Sequence, residues 1–559
     1  MSSALIVQGD HSILLDVHDP GAEDARQAIA PFAELEKSPE HFHTYRITPL
    51  SLWNAASAGL DAPAVIASLD QNSRFPVPPH VARSITESIS RYGKLVLEPT
   101  EDEYRLRLIV RDDDIATELA SRAAILRYLT PTETPSEFLV GLTDRGTLKQ
   151  ELIAIGYPVD DRAPLLDGEP IEFGLRERSL SGHPFTLRGY QQEAASVFFG
   201  GGRPGAGYGA VVLPCGAGKT IVGMAVMDLL KTSTLILTTN VAAVHQWIDE
   251  LIDKTELEPD LIGEYTGAAK EIKPVTVATY QILVWRPDKE APFPHFDLFR
   301  RRSWGLIIYD EVHLLPAPIF RVTAEIQAIR RLGLTATLVR EDGRERDVFS
   351  LVGPKRYDVP WKELEQKGWI AEAVCYEIRL DLDRGERTRY AVAEKRQKFR
   401  IASENPRKAD ACVQIVANHR EDAILVIGQY LDQLHVIART LDAPIITGKT
   451  PNAKREEIYR AFRSGDLRVI VVSKVANFAI DLPDASVAIQ VSGTFGSRQE
   501  EAQRLGRILR PKADRHRNAY FYSLISNETV EEEFASHRQR FLTEQGYAYH
   551  IEHWEGDHV

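Results

Sequence analysis

A chain of 559 residues is too long for one ordinary domain, so the sequence predicts three or four domains. Hydrophobic residues make up 43% and charged residues 26%, a balance that excludes a mainly disordered or fibrous protein. The 67 basic and 80 acidic residues give a net charge of −13, which excludes a uniformly basic nucleic-acid-binding surface and still allows a local basic groove.

The sequence predicts neither an export signal nor a membrane-spanning segment. Its first residues lack the basic stretch and the apolar stretch of a signal peptide, and no apolar run is long enough to cross a bilayer. The three cysteines, Cys215, Cys375 and Cys412, lack metal-ligand spacing, and their odd number excludes a fully paired disulfide framework. These features favour a reducing compartment, and we expect a cytoplasmic protein that does not bind membranes.

The N-terminal part reads as two small α+β modules. Alternating apolar and polar residues predict a strand over residues 4–17, and helical periodicity follows over 22–35, 49–60 and 80–91. A new strand over 104–111 and an α+β unit over 114–155 come next, before an acidic linker rich in Pro and Gly over 158–174. The expected domains are residues 1–100, 101–164, 165–357 and 358–559.

From residue 185 onwards, short apolar runs alternate with helical segments, a pattern that predicts parallel sheets covered on both faces. The candidate strands of the first series are residues 210–213, 234–237, 275–278, 306–309 and 332–334. Those of the second series are residues 424–427, 444–446, 469–472, 487–490 and 520–522. The fold class is therefore α/β, with two tandem parallel-sheet lobes. A basic helical insertion is expected over 384–407, between the two series of strands.

A candidate phosphate-binding loop follows the first strand of this series. It consists of Pro214, Cys215, Gly216, Ala217, Gly218, Lys219 and Thr220, and an apolar helix comes after it. Polyphosphate requires exposed backbone N–H groups and a helix N-terminus, while Lys219 and Thr220 would reach the phosphates and Mg²⁺. Leu213 stands where the strict motif has its first Gly, and a glycine-rich turn with a surface lysine is the alternative interpretation.

The strand over 306–309 ends in an acidic pair. Parallel-sheet enzymes place ligands at such strand ends, so Asp310 is expected to hold Mg²⁺ and Glu311 to orient or deprotonate the attacking water. The hydroxyls of Thr335 and Thr337, which close the next strand, are expected to bond His313 or Asp310 and to relay the nucleotide state. An acidic strand terminus and a polar strand end are the alternatives to these roles.

A basic stripe occurs late in the chain. Gln503, Gly506, Arg507 and Arg510 share one face of a predicted helix, at spacings of three and four residues. Two arginines beside a glycine suit fingers that contact a γ-phosphate from the opposite lobe. A solvated basic helix face is the alternative.

Taken in order, these motifs resemble those of superfamily 2 helicases, and within them the XPB family of DNA repair helicases. The motifs are FTLRGYQQEA, LPCGAGKT, TTNVAAVHQW, DEVH, GLTAT, IDLP and QRLGRILR. The tripeptide Arg340-Glu341-Asp342 resembles the RED motif of that family, and the basic insertion is similar to its thumb. The resemblance covers nearly the whole chain, is weakest over residues 104–155, and implies two RecA-like lobes preceded by an XPB-type N-terminal domain and a damage-recognition-like domain.

The resemblance also implies an activity and site roles. It implies an ATP-dependent DNA helicase of 3′–5′ polarity in nucleotide excision repair, using ATP and Mg²⁺, bound to DNA and to a repair nuclease, monomeric and nucleoid-associated. The catalytic residues are then Lys219, Asp310, Glu311, His313, Gln503, Arg507 and Arg510. The nucleotide-binding residues are Arg188, Gln191, residues 213–220 and Asp481, and the metal ligands are Thr220 and Asp310. The DNA-contacting residues are Thr238, Thr279, Lys474 and the Arg340-Glu341-Asp342 tripeptide.

The sequence departs from the family pattern at one point and leaves three alternatives open. Ala476 and Asn477 stand where the family carries Gly and Asp, which removes a charge. Arg340-Glu341-Asp342 suits either a strand-separating wedge or a charged turn. The same motor residues also serve a double-strand translocase or annealing ATPase, and a damage-binding scaffold with a degenerate motor is a third function.

Overall fold

The computed structural model describes most of the chain. The described residues are 4–37, 41–102, 104–203, 205–214, 216–288, 291, 293–326, 329–336, 345–359, 364, 373–473, 485–492, 519–533, 535–536, 539 and 548–554. The chain divides into two compact units, residues 1–213 with 218–359 and residues 214–217 with 360–559.

The first sheet of the first unit is antiparallel, with four strands in the order β1-β2-β4-β3. Its strands are β1 (Leu5–Val7), β2 (Ser12–Asp16), β3 (Glu34–Lys37) and β4 (Phe42–Arg46), and its helices are Ala22–Ile29, Pro49–Ser57, Ala62–Asn72 and Pro79–Arg91. The single strand predicted over 4–17 is wrong: it is a hairpin, which turns where Asp10 accepts a hydrogen bond from the Ser12 N–H and His11 takes a positive φ of 67°. The predicted first helix ends six residues early, because its last residues belong to β3.

The second sheet has five strands in the order β7-β8-β6-β5-β9. Its strands are β5 (Leu95–Pro99), β6 (Arg105–Val110), β7 (Thr130–Pro131), β8 (Glu137–Gly141) and β9 (Val159–Asp161), and its helices are Asp113–Ser121, Ala123–Leu126 and Arg145–Ala154. The predicted strand over 104–111 is confirmed as β6. The predicted linker begins with a strand instead, since β9 pairs in parallel with β5.

The third sheet of this unit is parallel throughout, with seven strands in the order β12-β13-β11-β14-β15-β10-β16. Its strands are β10 (Tyr208–Val212), β11 (Thr234–Thr238), β12 (Ile262–Tyr265), β13 (Val275–Thr279), β14 (Leu306–Asp310), β15 (Arg330–Thr335) and β16 (Lys355–Asp358). The helices are Gly189–Phe199, Lys219–Leu230, Val241–Lys254, Tyr280–Leu283, Ala317–Glu325 and Glu345–Asp347. The five predicted strands are confirmed, and the sequence analysis missed the two edge strands β12 and β16.

The second unit contains another parallel sheet of seven strands, in the order β19-β20-β18-β21-β22-β17-β23. Its strands are β17 (Ala373–Leu380), β18 (Ile424–Gly428), β19 (Ile445–Ile446), β20 (Val469–Ser473), β21 (Val487–Gln490), β22 (Ala519–Ser526) and β23 (Ala548–His553). Its helices are Arg384–Val392, Lys395–Ser403, Arg407–Asn418, Leu431–Thr440 and Asn452–Ser464. The predicted fold class of two tandem parallel lobes, and the helical nature of the insertion, are confirmed. Among the helices described, none has the length and apolar character that crossing a membrane demands.

Within the first unit, the N-terminal modules are packed directly on the parallel lobe. Trp53, Ile153 and Phe349 form one buried cluster, to which each of the three sheet-containing parts of the unit contributes one residue. Gly146 lies so close to helix Ala317–Glu325 that an added Cβ atom would stand 2.3 Å from the Ala324 carbonyl oxygen. Only a glycine allows this approach, so the helix Arg145–Ala154 and the lobe form a continuous packed interface.

A buried ionic cluster lies at the same interface. Asp161 accepts hydrogen bonds from Arg145 at 2.9 and 3.0 Å and from the Lys149 ammonium at 2.8 Å, and all three side chains are almost fully buried. Burial lowers the pKa of Lys149 to about 7. Burial alone would raise the pKa of Asp161, but Arg145 and Lys149 hold it well below its usual range. The Asp161 carboxylate is therefore the counter-ion on which two buried cations depend.

We expect Asp161→Asn to destabilise the first unit strongly. The substitution keeps the shape of the side chain but leaves Arg145 and Lys149 without their counter-charge, which costs about 3–5 kcal/mol of unfolding free energy. Urea denaturation followed by tryptophan fluorescence measures the change. The control is Glu151→Gln, which opens the exposed Arg127–Glu151 pair (3.2 Å) and is expected to cost at most about 1 kcal/mol. Equal losses in the two variants would contradict the assignment.

Candidate functional site

The phosphate-binding loop connects strand β10, which lies between β15 and β16, to the helix Lys219–Leu230. The N–H of Leu213 donates to the Thr335 carbonyl at 2.9 Å, which joins the start of the loop to the end of β15. Gly216 and Gly218 have φ angles of 80° and 79°, in the left-handed region that favours glycine. The loop therefore curves without Cβ atoms at these positions, and Lys219 and Thr220 begin the helix just after it.

Gln191, which the resemblance assigns to the adenine base, lies beside this loop. A Cβ atom on Gly218 would stand 2.6 Å from the Gln191 Nε2 atom. The Gln191 Oε1 atom accepts the backbone N–H of Arg188 at 3.0 Å, and the Arg188 guanidinium donates to the Tyr190 hydroxyl at 3.2 Å. The capping turn before helix Gly189–Phe199 thus fixes the Gln191 amide next to the phosphate loop.

The acidic pair at the end of β14 meets the lysine of the loop. The Lys219 ammonium donates to the Glu311 Oε1 atom at 2.5 Å, and only 12% and 15% of these two side chains is exposed. Glu311 adopts a left-handed backbone conformation, with φ 52° and ψ 55°, which a residue with a Cβ atom rarely takes. Such strain is common at functional sites, where the surrounding structure holds it.

The pKa values of the two carboxylates are shifted in opposite directions. Burial, together with the neighbouring charge of Glu311, raises the pKa of Asp310 to about 6, while Lys219 and Trp247 oppose the shift. Burial by itself would raise the pKa of Glu311, but Lys219 and then His313 hold it below its usual value. Glu311 is therefore the stronger acid of the pair, and Asp310 is the one whose ionisation a nearby cation would favour.

His313 connects the acidic pair to the next strand, as the sequence predicts. Its Nδ1 atom lies 2.7 Å from the Thr335 hydroxyl and 3.6 Å from the Glu311 Oε2 atom. His313 and Thr335 are both buried. The expected hydrogen bond between them is confirmed, and it links the carboxylates to the end of β15.

Two aromatic residues that the sequence analysis did not single out hold Asp310. The Trp247 indole N–H donates to the Asp310 Oδ2 atom at 3.0 Å, and the Tyr280 hydroxyl donates to its backbone carbonyl at 2.8 Å. The Trp247 ring also packs on the phosphate-loop helix, where an added Cβ atom on Gly223 would stand 2.6 Å from it. An indole N–H on an otherwise apolar buried helix face is the signal that could have identified Trp247.

The predicted DNA-contacting threonines lie side by side but face inward. Thr238 and Thr279 are paired in register at the ends of β11 and β13. Both are buried: the Thr238 hydroxyl donates to the Ala278 carbonyl at 3.4 Å, and the Thr279 hydroxyl accepts the Ile282 N–H at 3.3 Å. Their side chains are covered in this structure, and their contact with DNA stays a prediction.

Part of the predicted site lies outside the described residues. These positions are Cys215, Thr337, Arg340, Glu341, Asp342, Lys474, Asp481, Gln503, Arg507 and Arg510, together with Ala476 and Asn477. Their roles stay predictions. The described part of the site unites Lys219, Asp310, Glu311 and His313 within the first lobe, with Thr220 beside them at the start of the same helix.

Three family models match the chain. One described as ERCC3/RAD25/XPB C-terminal helicase matches residues 364–555. One described as Type III restriction enzyme, res subunit, matches residues 184–340, which contain the phosphate loop and the acidic pair. One described as Helicase conserved C-terminal domain matches residues 5–131.

Curated relatives match the chain along nearly its full length. A protein of Kineococcus radiotolerans named DNA 3′-5′ helicase XPB is 52% identical over 547 residues, covering 98% of this chain and 96% of its own. One of the same name in Mycobacterium tuberculosis is 51% identical, covering 98% and 97%. The general transcription and DNA repair factor IIH helicase/translocase subunit XPB of Encephalitozoon cuniculi is 34% identical, covering 98% and 83%.

We expect Thr335→Val to lower the turnover number for ATP roughly 10-fold. The substitution removes the buried hydrogen bond that holds His313, which is worth about 1–3 kcal/mol, so His313 is no longer held in the transition state. The KM for ATP should change little, since the hydroxyl does not belong to the phosphate loop. Steady-state ATP hydrolysis measures both constants. Thr323→Val is the matched control, because its hydroxyl is equally buried and bonds the Tyr309 hydroxyl at 3.0 Å away from the carboxylates. If both variants retain wild-type turnover, the relay role fails.

Proposed function

The chain belongs to the XPB family of DNA helicases, and on that premise we propose that ATP hydrolysis at the end of β14 drives DNA unwinding with 3′–5′ polarity. Its similarity to proteins named DNA 3′-5′ helicase extends over 98% of its length. The proposed biological role is nucleotide excision repair. The similarity favours a helicase over a damage-binding scaffold with a degenerate motor.

The observation that carries the proposal is the Lys219–Glu311 contact of 2.5 Å beside Asp310. The triphosphate bears more negative charge than one carboxylate, so it competes for the same ammonium group. When Lys219 moves to the phosphates, the Glu311 carboxylate loses the charge that lowers its pKa, so it becomes more basic and accepts a hydrogen bond from the attacking water. The movement of the Lys219 ammonium from Glu311 to the phosphates thus binds ATP and leaves the Glu311 carboxylate available as the base.

The remaining roles follow from the positions of the other residues. Thr220 and Asp310 supply a hydroxyl and a carboxylate, the oxygen ligands that Mg²⁺ prefers, and both stand next to the phosphate loop. Bound Mg²⁺ would neutralise charge on the phosphate oxygens. Gln191 recognises the adenine base under this proposal, and Arg507 and Arg510 contribute finger contacts in closed lobes.

DNA is the proposed macromolecular substrate, contacted mainly through its sugar-phosphate backbone, as a sequence-independent motor requires. We also propose a repair nuclease as a protein partner and a monomer as the active form. A cytoplasmic, nucleoid-associated location follows from these partners.

We expect Lys219→Ala to abolish ATP binding and Glu311→Gln to keep binding while lowering hydrolysis at least about 10²-fold, because only the second variant retains the phosphate contacts. Nucleotide binding is measured by equilibrium titration, and turnover is measured with and without DNA. The control is Glu258→Gln at an exposed position of the same lobe, which should behave as wild type. Wild-type hydrolysis in both site variants would refute the assignment.

Unwinding polarity is tested on duplexes that carry either a 3′ or a 5′ single-stranded tail. We expect strand separation only with the 3′ tail, and none with Glu311→Gln, because the motor steps along one strand with fixed direction. The measurement is the fraction of labelled strand released over time. ATP hydrolysis stimulated by DNA without strand separation on either substrate would instead identify the double-strand translocase or annealing activity.

A further inference from the structure

The helical pair of the second unit, Arg384–Val392 with Lys395–Ser403, begins just after the C-terminal end of β17. Residues 384–403 contain seven basic and two acidic residues. Arg387, Arg389 and Arg400 are each more than half exposed, and each is paired with a surface carboxylate for which phosphates would compete. Parallel-sheet enzymes use this end of the strands for their ligands. The pair is therefore suited to contact phosphates, provided that it is held rigidly on the lobe.

The helical pair is held on the lobe by the buried carboxylate of Glu531, whose hydrogen-bonding capacity is fully used. Glu531 receives four hydrogen bonds: two from the Lys408 ammonium at 2.7 and 2.9 Å, one from the Ser403 hydroxyl at 3.0 Å and one from the Ser526 N–H at 2.9 Å. The exposed fractions of the Lys408 and Glu531 side chains are 0% and 3%. Both carboxylate oxygens therefore have two donors each, so the orientation of this side chain is fully determined.

The turn formed by residues 526–531, which includes Glu531, contacts both helices of the pair. The Ser526 hydroxyl donates to the Ala402 carbonyl at 2.7 Å and accepts from the Asn405 amide at 3.1 Å, at the end of the second helix. The Val530 N–H donates to the Tyr390 hydroxyl at 2.8 Å on the first helix. The pair is thus fixed at its base and along its first helix by residues 526–531.

This turn continues directly from β22, which lies between β21 and β17 in the sheet. In the sequence, β22 is the strand that follows the arginine motif of residues 503–510. Glu528 in the turn takes a left-handed φ of 54°, so the backbone is held in a conformation that a residue with a Cβ atom rarely adopts. A displacement of β22 would be passed to the helical pair through Glu531.

From these contacts we infer that Glu531 and Lys408 are positioning residues for the motor, which hold the basic helical pair in a fixed geometry on β22 so that DNA bound to it moves with the lobe. The inference rests on the proposed helicase function. Stabilisation alone does not explain the arrangement, because apolar side chains of similar volume commonly replace a buried ion pair at no cost in stability. Apolar side chains cannot reproduce the directed bonds to Ser403 and Ser526.

The experiment compares the full-length wild type with the double variant Lys408→Met, Glu531→Met. The expected result is a melting temperature within about 4 °C of wild type, ATP turnover without DNA within about twofold, and about 10-fold fewer base pairs unwound per ATP hydrolysed. The matched control carries the same substitutions at the exposed Lys454–Glu457 pair (2.8 Å) and should unwind as wild type. An unchanged ratio of base pairs to ATP in the double variant, or an equal loss in the control, overturns the inference.

A milder variant serves if the double variant does not fold. Ser403→Ala removes one of the four bonds to Glu531 and should lower the ratio of base pairs to ATP about threefold; an unchanged ratio would overturn the inference equally. The wild type separates this test from the proposed function. If the wild type neither hydrolyses ATP nor unwinds DNA, the proposed function fails; if it does both and the variants match it, only the positioning role fails.

Discussion

Lys219 has to neutralise negative charge in a buried site, and this requirement organises everything around the phosphate loop. Its ammonium lies 2.5 Å from Glu311, whose backbone is held in a left-handed conformation at the end of β14. That geometry depends on Trp247 and Tyr280, which hold Asp310, and on His313, which is bonded to Thr335. The site is therefore a set of charges kept in place by the ends of adjacent parallel strands.

The sequence predicts the centre of each parallel sheet well because buried central strands are continuous apolar runs, as in Ile424–Gly428. It misses the edge strands Ile262–Tyr265 and Lys355–Asp358 of the first lobe and the strands Ala373–Leu380 and Ala548–His553 of the second, because each contains charged residues that interrupt the apolar run. The site residues on the strand ends are recognisable from motif spacing. Their mutual contacts are not, because the Lys219–Glu311 and Trp247–Asp310 distances join residues 92 and 63 positions apart.

Both units use a buried carboxylate to attach an added element to a sheet. In the first unit Asp161 binds Arg145 and Lys149 where the second sheet meets the parallel lobe, and in the second unit Glu531 binds Lys408 at the base of the helical pair. Buried ion pairs add little net stability, since desolvation offsets their attraction, but each tolerates only one arrangement of its partners. The two clusters thus favour fixed orientation over maximal stability.

The close approach of Gly146 to the Ala324 carbonyl has a consequence for how this enzyme can be divided. The surface of the parallel lobe at that point includes the buried Phe349 and the buried Arg331 guanidinium, both covered in the intact chain. Cutting away the two N-terminal modules, before the helix Gly189–Phe199, would strip that cover, exposing an apolar ring and a desolvated cation together. The ATP-binding lobe is consequently not a portable module, and its smallest soluble fragment should include the helix that carries Gly146.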